Sequence, residues 1–465
     1  MAPSTLDLFI LTFNCAKNLI DPYVFASHLH GALSQNDAAG LPNLVVFSLQ
    51  EVAPLSYSFI GSYFLNPYYA RFGEALNLAS ARHYTLLRAK NVGMTAILLY
   101  ARDPASVSKI EEAECGFGAA DMGNKGAVGL RVTCCGQRDD GVGPHRTTEL
   151  TFVAAHLAAM EWNLKKRNAN WRSIVSGLTF ANPRTIVPED TQPLLSSTTT
   201  DDQQQRQQQQ PPLSLSDQAA LQSISIYKPT SHLFVAGDLN YRIASTTPPP
   251  QSAFPSFDPS SEHFYPNFLP RDQLTRERLA RRALHGLSEA DIAFGPTYKF
   301  DVLASAEGAA NEEAVPWRFA PHRWPGWCDR VLYLDVPRKE VGEREVKVAV
   351  TTYDAMPVVA TSDHRAVFFR ASVPVLGEEE MKPPPQEGEE QQQQQEEEEE
   401  GLAVDPRVRM PVPVDVHAWE RRAAARRKEL LVGWSALIWS TREGAVLLAT
   451  VLALGLGSWW LWRAW

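Results

Sequence analysis

FVAGDLNYR, residues Phe234–Arg242, is an apolar run that stops abruptly on polar groups. The run has strand character, and Gly237 permits a tight turn at its end. Asp238 and Asn240 then stand two residues apart, on one side of an extended chain. A carboxylate and an amide so placed can polarise a water and hold an oxyanion. An Asx-turn at a strand end uses the same residue types for local capping alone. Taken by itself, the segment is compatible with both.

The same grammar recurs along the chain. Asn14 follows the strand-like run Leu8–Phe13, Glu51 follows Leu44–Leu49, and His156 follows Leu150–Ala155, as Asp238 follows Leu233–Ala236. Strand ends that carry such side chains predict convergence on one polar cleft. Further strand-like runs lie at Ala96–Leu99, Val331–Leu334, Val346–Thr352 and Ala366–Phe369, interleaved with mixed helical stretches. Without a glycine-rich phosphate loop or a regular βαβ beat, this pattern favours a mixed α/β sandwich over a doubly wound sheet. WCDRVL at Trp327–Leu332 offers Asp329, and TSDHRAV at Thr361–Val367 offers the adjacent Asp363 and His364. Asp329 is a candidate to orient the His364 imidazole, whose second nitrogen needs an acceptor. Surface loops with solvated charge would look alike. Paired with Glu51 in SLQEV, these turns suggest a hard-oxygen Mg²⁺ site with few protein ligands and several waters.

Hydrophobic residues make up 44% of the 465, enough for a sizeable core. The formal net charge is −9, but residues 377–401 alone hold eleven Glu against one Lys. The acidity therefore belongs to one segment and does not exclude an anionic substrate. Five cysteines, with Cys134 and Cys135 adjacent, form no disulfide framework and read as reduced cytosolic thiols. Leu6–Phe13 lacks the basic flank and cleavage site of a signal peptide and reads as a buried first strand.

Gly444–Trp462 is nineteen residues without a charged side chain, between Glu443 and Arg463. As a helix it spans about 28 Å, roughly one hydrocarbon core. Trp459, Trp460, Trp462 and Trp465 cluster at one end, and Arg421, Arg422, Arg426, Arg427 and Lys428 precede the span. This arrangement predicts a tail anchor with the large N-terminal part in the cytosol. The expected organisation is a catalytic domain over 1–375, interrupted by a disordered Ser/Thr/Gln/Pro-rich insertion at 181–231 that holds a glutamine tract at Gln203–Gln210. An acidic Pro/Gln/Glu-rich linker at 376–416, a basic juxtamembrane segment at 417–443 and the span at 444–462 follow. The linker reads as a flexible tether that lets the domain tumble over its membrane.

GDLNYR at Gly237–Arg242 and PGWCDRVL at Pro325–Leu332, about ninety residues apart, form a specific pair. Supporting segments are TFN at Thr12–Asn14, LQE at Leu49–Glu51, GNKGAV at Gly123–Val128, HLAA at His156–Ala159, RN at Arg167–Asn168, PTYKF at Pro296–Phe300 and SDH at Ser362–His364. Over residues 5–372, outside the insertion, the chain resembles the inositol-polyphosphate 5-phosphatases, a branch of the endonuclease/exonuclease/phosphatase fold shared with DNase I. The resemblance implies a four-layer α/β sandwich and Mg²⁺-dependent removal of the 5-phosphate from phosphatidylinositol 4,5-bisphosphate. It implies Mg²⁺ on Glu51, with Asn14 close by and Asp363 near the metal. Asp238 would deprotonate the attacking water, Asn240 would hold the phosphate, and His156 and His364 would donate to it, with Asp329 setting the His364 tautomer. Tyr298, Lys299 and Arg323 would read a 4-phosphate, and Asn124 and Lys125 would lie near the 1-phosphate.

Arg330 is in the motif without a role that can be read. Pro321, Arg365 and Asn170 depart from residues common in the family, and the first weakens the expected 4-phosphate site. A nuclease or sphingomyelinase of the same fold is disfavoured by PTYKF and WCDR, and a catalytically dead lipid-binding scaffold by the intact polar set. The expected partners are a phosphoinositide and a membrane, with no nucleic acid and no obligatory protein partner. The endoplasmic reticulum is the expected membrane, with the mitochondrial outer membrane as the alternative.

Overall fold

In a computed structural model, the described residues are 5–35, 40–135, 146–187, 213–303, 315–337, 340–341, 344–383, 405–440 and 442–465. The strands are β1 (Thr5–Asn14), β2 (Leu44–Gln50), β3 (Thr85–Val92), β4 (Thr95–Ala101), β5 (Val107–Gly116), β6 (Gly126–Cys135), β7 (Thr147–His156) and β8 (His232–Asp238). They continue as β9 (Leu287–Ser288), β10 (Phe300–Val302), β11 (Trp317–Phe319), β12 (Asp329–Leu334), β13 (Glu340–Val341), β14 (Arg344–Glu345), β15 (Ala349–Ala355) and β16 (Val367–Pro374). Two six-stranded sheets dominate, ordered β15-β16-β1-β2-β4-β3 and β5-β6-β7-β8-β12-β9. Each holds one parallel pair at its centre, β1 with β2 and β7 with β8, among antiparallel neighbours.

Both sheets are covered on both faces, which is why their central strands read as continuous apolar runs. Alternation sorts the side chains of β1: Leu8 and Ile10 enter the core between the sheets, while Phe9, Leu11 and Phe13 face an outer helical layer. That layer is α1 (Pro22–Ser34) and α3 (Asn66–Ser80), with α2 (Leu55–Ile60) between them in sequence. On the opposite outside, α4 (Leu164–Gly177) buries Trp171, Ile174 and Val175 against β7 and β8. Helix, sheet, sheet and helix make the four-layer sandwich that the sequence predicts. Between the sheets Phe152 stacks on Phe234 at 5.7 Å, and Phe234 meets Phe369 at 6.2 Å. Each such buried ring contributes about 1.5–3 kcal/mol relative to exposure.

Both ends of the segment expected as a disordered insertion are ordered among the described residues. Pro183–Thr185 form a 3-10 turn, and α5 (Leu215–Ile224) starts on Ser214, whose hydroxyl accepts from the Asp217 amide. Leu221, Ile226 and Tyr227 are buried behind it. The glutamine tract lies outside the described residues.

The expected linker and juxtamembrane segment also differ. Following α6 (Gln273–Leu279), the short helix α7 (Glu378–Met381) buries Met381 beside Val336, Val346 and Leu376. Residues 384–404, with most of the acidic tract, lie outside the described residues. Chain from Asp405 onward is packed: Arg407 donates to the Asp335 carbonyl at 2.7 Å, and Met410 and Val412 lie on the β7–β8 side. Next comes α8 (Ala418–Ser440), docked on the domain rather than standing off it. Its basic cluster is split by helical periodicity. Arg422 is buried and Arg426 partly so, whereas Arg421, Arg427 and Lys428 stay exposed. A basic run therefore read as membrane-facing is in part an interface. Finally α9 (Arg442–Ala464) contains Gly444–Ala464, long and apolar enough to cross a membrane and almost wholly exposed.

Candidate active site

Strand register gathers the polar strand ends. In the parallel β7–β8 ladder His156 pairs with Asp238, and in the antiparallel β8–β12 ladder Asp238 pairs with Asp329. Asn14, the last residue of β1, reaches across from the other sheet and donates from Nδ2 to Asp238 Oδ2 at 3.0 Å. These ends open into a cavity of about 710 Å³ lined by Lys17, Glu51, Lys125, Tyr298, Lys299 and Asp363 among others.

Gly237 serves this arrangement differently from the expected turn. It lies within β8, and a Cβ there would stand 2.0 Å from the Ala155 carbonyl oxygen of β7. The turn itself falls on Asn240, at φ +57°, a left-handed conformation that asparagine tolerates. Asp238 Oδ1 accepts the Asn240 amide at 3.1 Å, the Asx-turn weighed above, while Oδ2 remains for the site. Local capping and chemistry share one carboxylate. The Asn240 side chain is itself occupied, donating to Leu157 O at 3.2 Å and accepting from Arg242. It lines the cavity as part of the frame.

Asp238 Oδ2 lies 3.3 Å from His156 Nε2 and 4.0 Å from His364 Nε2. His364 Nδ1 donates to Asp329 Oδ2 at 2.8 Å, and the same oxygen accepts the Thr297 hydroxyl at 2.7 Å. Burial works against charge on His364, but Asp329 and then Asp238 outweigh it and push its pKa up to about 9. Burial and the neighbouring Lys125 ammonium push His156 the other way, toward the neutral ring. Burial also opposes charge on Asp238, yet the His156 hydrogen bond and the His364 charge hold its carboxyl well below the usual range. The resting state is thus a carboxylate between one neutral and one protonated imidazole.

Around this centre basic and acidic side chains are interleaved. The Lys125 ammonium meets His156, and Lys17 pairs with Glu51 at 2.8 Å. Lys299 is ion-paired with Asp363, so the carboxylate expected near a metal is engaged by a cation here. The Tyr298 ring lies 4.5 Å from that of His364, with the Arg242 guanidinium 4.3 Å from its centroid on the way to Asn240.

Two expected residues do not reach the cavity. Asn124 turns into its own loop, where Oδ1 accepts the Ala119 amide at 3.2 Å. Arg323 donates to His322 O and Met160 Sδ, at the flank of the lining residues. Arg330 is buried between Asp272 at 3.0 Å and Glu289 at 2.6 Å, a support for β12. Lys17, Arg242 and Thr297 were not singled out. Arg242 ends the GDLNYR motif and Thr297 stands in PTYKF, so both were open to recognition; Lys17 carries only an ordinary loop signal.

The family described as Endonuclease/Exonuclease/phosphatase family 2 matches residues 11–370. The chain belongs to it. As a member of endonuclease/exonuclease/phosphatase family 2, the chain is 27% identical over 351 residues to polyphosphatidylinositol phosphatase INP53 of Saccharomyces cerevisiae, covering 73% of this chain and 24% of the relative. It is 26% identical over 257 residues to phosphatidylinositol 3,4,5-trisphosphate 5-phosphatase 1 of Homo sapiens, covering 55% of this chain and 17% of that protein. The chain thus spans a quarter or less of the length of these relatives. Its fold is similar to a crystal structure of the inositol polyphosphate 5-phosphatase domain of SPsynaptojanin in complex with inositol (1,4)-bisphosphate and calcium ion. That match has a TM-score of 0.52 at 21% identity, over 86% of this chain and 93% of the other. Within the family's DNase I-like sandwich, the cavity lies where the ends of β1, β7 and β8 converge.

Proposed function

We propose that the protein is a Mg²⁺-dependent phosphoinositide 5-phosphatase that converts phosphatidylinositol 4,5-bisphosphate to phosphatidylinositol 4-phosphate. The observation that carries this reading is the carboxylate of Asp238 set between His156 and His364 at the floor of a lysine-rich cavity. The relatives' names, a polyphosphatidylinositol phosphatase and a phosphatidylinositol 3,4,5-trisphosphate 5-phosphatase, point the same way.

Hydrolysis at the 5-phosphate requires an aligned water, a proton acceptor and donors on the phosphate oxygens. Asp238 Oδ2 would orient the water and take its proton as the new P–O bond forms. The 5-phosphate's bond to the inositol oxygen breaks in line, and that oxygen takes a proton from solvent. Protonated His364, held by Asp329, would donate to a phosphate oxygen, with His156 and Lys125 on the other side. Lys299 and Tyr298, which line the same cavity, would read a neighbouring 4-phosphate, and Lys17 adds a further cation to the lining.

Glu51 and Asn14 line the cavity and offer oxygen donors, a set that suits Mg²⁺ better than a softer metal. Burial opposes charge on Glu51, but the cationic groups around it, Lys17 at 2.8 Å among them, keep its carboxyl below the usual range, so it is ionised and here paired with Lys17. Mg²⁺ held there would neutralise phosphate charge. We also read α9 as a membrane anchor that holds the domain on the cytosolic side of the endoplasmic reticulum membrane, supported by its length, composition and exposure.

Phosphate release from a panel of phosphoinositides and soluble inositol phosphates, with and without Mg²⁺, tests the reading. Release confined to 5-phosphorylated substrates in Mg²⁺ is expected. Release independent of a 5-phosphate would overturn it.

A further inference from the structure

The loop that delivers Lys125 to the cavity is held from three directions. Within it, the Phe117 amide donates to Lys125 O at 3.0 Å. From the β3–β4 turn, the Met94 amide donates to Gly123 O at 3.1 Å. The fit there is tight, since a Cβ on Gly123 would lie 2.7 Å from Gly93 N. The third hold comes from far along the chain: the Gly123 amide donates to Glu429 Oε1 of α8 at 2.7 Å.

Glu429 is fully buried and surrounded by a built network. Arg422, two turns earlier on the same helical face, gives it two hydrogen bonds at 2.6 and 2.8 Å, and Arg426 a third at 3.3 Å. Arg422 also donates to Glu114 of β5 at 3.0 Å, and Arg426 to the Phe59 and Ile60 carbonyls of α2. Buried ion pairs are weak devices for stability, because desolvation offsets most of the attraction. What this one provides is a directional, charge-assisted acceptor for one backbone N–H, two residues before the lysine that meets His156.

We propose that Glu429 is a positioning residue for catalysis, setting Lys125 through the Gly123 amide, so that the juxtamembrane helix is part of the catalytic apparatus. The inference rests on the 5-phosphatase reading and deepens it. The helix that clamps the loop directly precedes α9 in the chain, the element read as the membrane anchor.

The test uses full-length protein in detergent micelles, with a short-chain, water-soluble phosphatidylinositol 4,5-bisphosphate and Mg²⁺. Glu429→Ala should lower kcat/KM by roughly ten-fold or more, as expected for loss of a charge-assisted hydrogen bond. Glu429→Gln, which keeps an acceptor and the shape of the side chain, should lose less. In a Lys125→Ala background, Glu429→Ala should add almost nothing, because its effect passes through the lysine. An equal loss in that background would show a general structural role and overturn the proposal. Hydrogen exchange supplies a readout independent of activity. Peptides over 116–125 should exchange faster in Glu429→Ala, while β4 peptides stay unchanged; unchanged loop exchange would overturn the clamp. If the wild-type protein releases no phosphate, the functional reading fails, and the exchange result still decides whether Glu429 holds the loop.

Discussion

Asp238 and Asp329 face each other across the β8–β12 ladder, yet they serve different partners. Asp329 Oδ2 accepts from His364 and Thr297, while Asp238 Oδ2 accepts from Asn14 and lies close to His156. Like charges directly opposite each other in a sheet repel. The protonated imidazole of His364 lies between them, 2.8 Å from Asp329 and 4.0 Å from Asp238, and offsets that repulsion. One histidine therefore both completes the site and makes its carboxylate pair tolerable.

The pairing has a pH signature. His364 carries its proton below its pKa of about 9, so the donor is present at neutral pH and lost as pH rises through that value. Asp329→Asn removes the nearest charge that keeps the proton in place. The alkaline limb of kcat/KM should move to lower pH by about one to three pH units. An alkaline limb that stays in place would disconnect His364 from the reaction.

Asp238→Asn keeps the shape of the side chain and an acceptor for Asn14 but cannot take a proton from water. Turnover should fall about 10²–10⁴-fold, the usual range for a general base. Thermal unfolding followed alongside should show a folded protein. Turnover near wild type would remove Asp238 from the mechanism.

Lys299→Ala should raise KM for the 4,5-bisphosphate by more than for a substrate lacking the 4-phosphate. The lost contact is worth about 1.5–3 kcal/mol. The structure adds a second contribution of the same sign, because Asp363 loses its cation and faces the cavity as an uncompensated carboxylate. Steady-state kinetics on the two substrates separate selective from general loss, and equal changes would count against 4-phosphate recognition.

Chelation should abolish activity, and added Mg²⁺ should restore it. Glu51→Gln should raise the Mg²⁺ concentration needed for half-maximal rate, since a neutral amide is a poorer ligand than a carboxylate. An unchanged Mg²⁺ titration would move the metal away from Glu51.

Truncation after Ser440 should leave activity on a water-soluble substrate intact and abolish sedimentation with membranes, because α9 is almost wholly exposed. Truncation before His417 should lower the melting temperature as well. It strips Arg422 from Glu114 and Glu429 from the Gly123 amide. Equal melting temperatures for the two truncations would show that α8 does not belong to the folded domain.

Short-range patterning alone determined much of this protein. Short continuous apolar runs followed by Asn14, Glu51, His156 and Asp238 were enough to place strands and to expect their ends in one cleft. A nineteen-residue uncharged stretch was enough to identify a helix fit for a bilayer. What pairs with what was decided only in three dimensions. The position of His156 beside Asp238 follows from a parallel register that no local signal specifies. Asn124 shares a motif with Lys125, but loop geometry aims one side chain at its own backbone and the other at His156. Arg422, Arg426 and Glu429 sit in a run whose composition suits a membrane surface. Their burial depends on a surface built by β5 and α2, more than three hundred residues earlier. Composition records that a residue is charged, and only the fold decides whether water or a partner neutralises that charge.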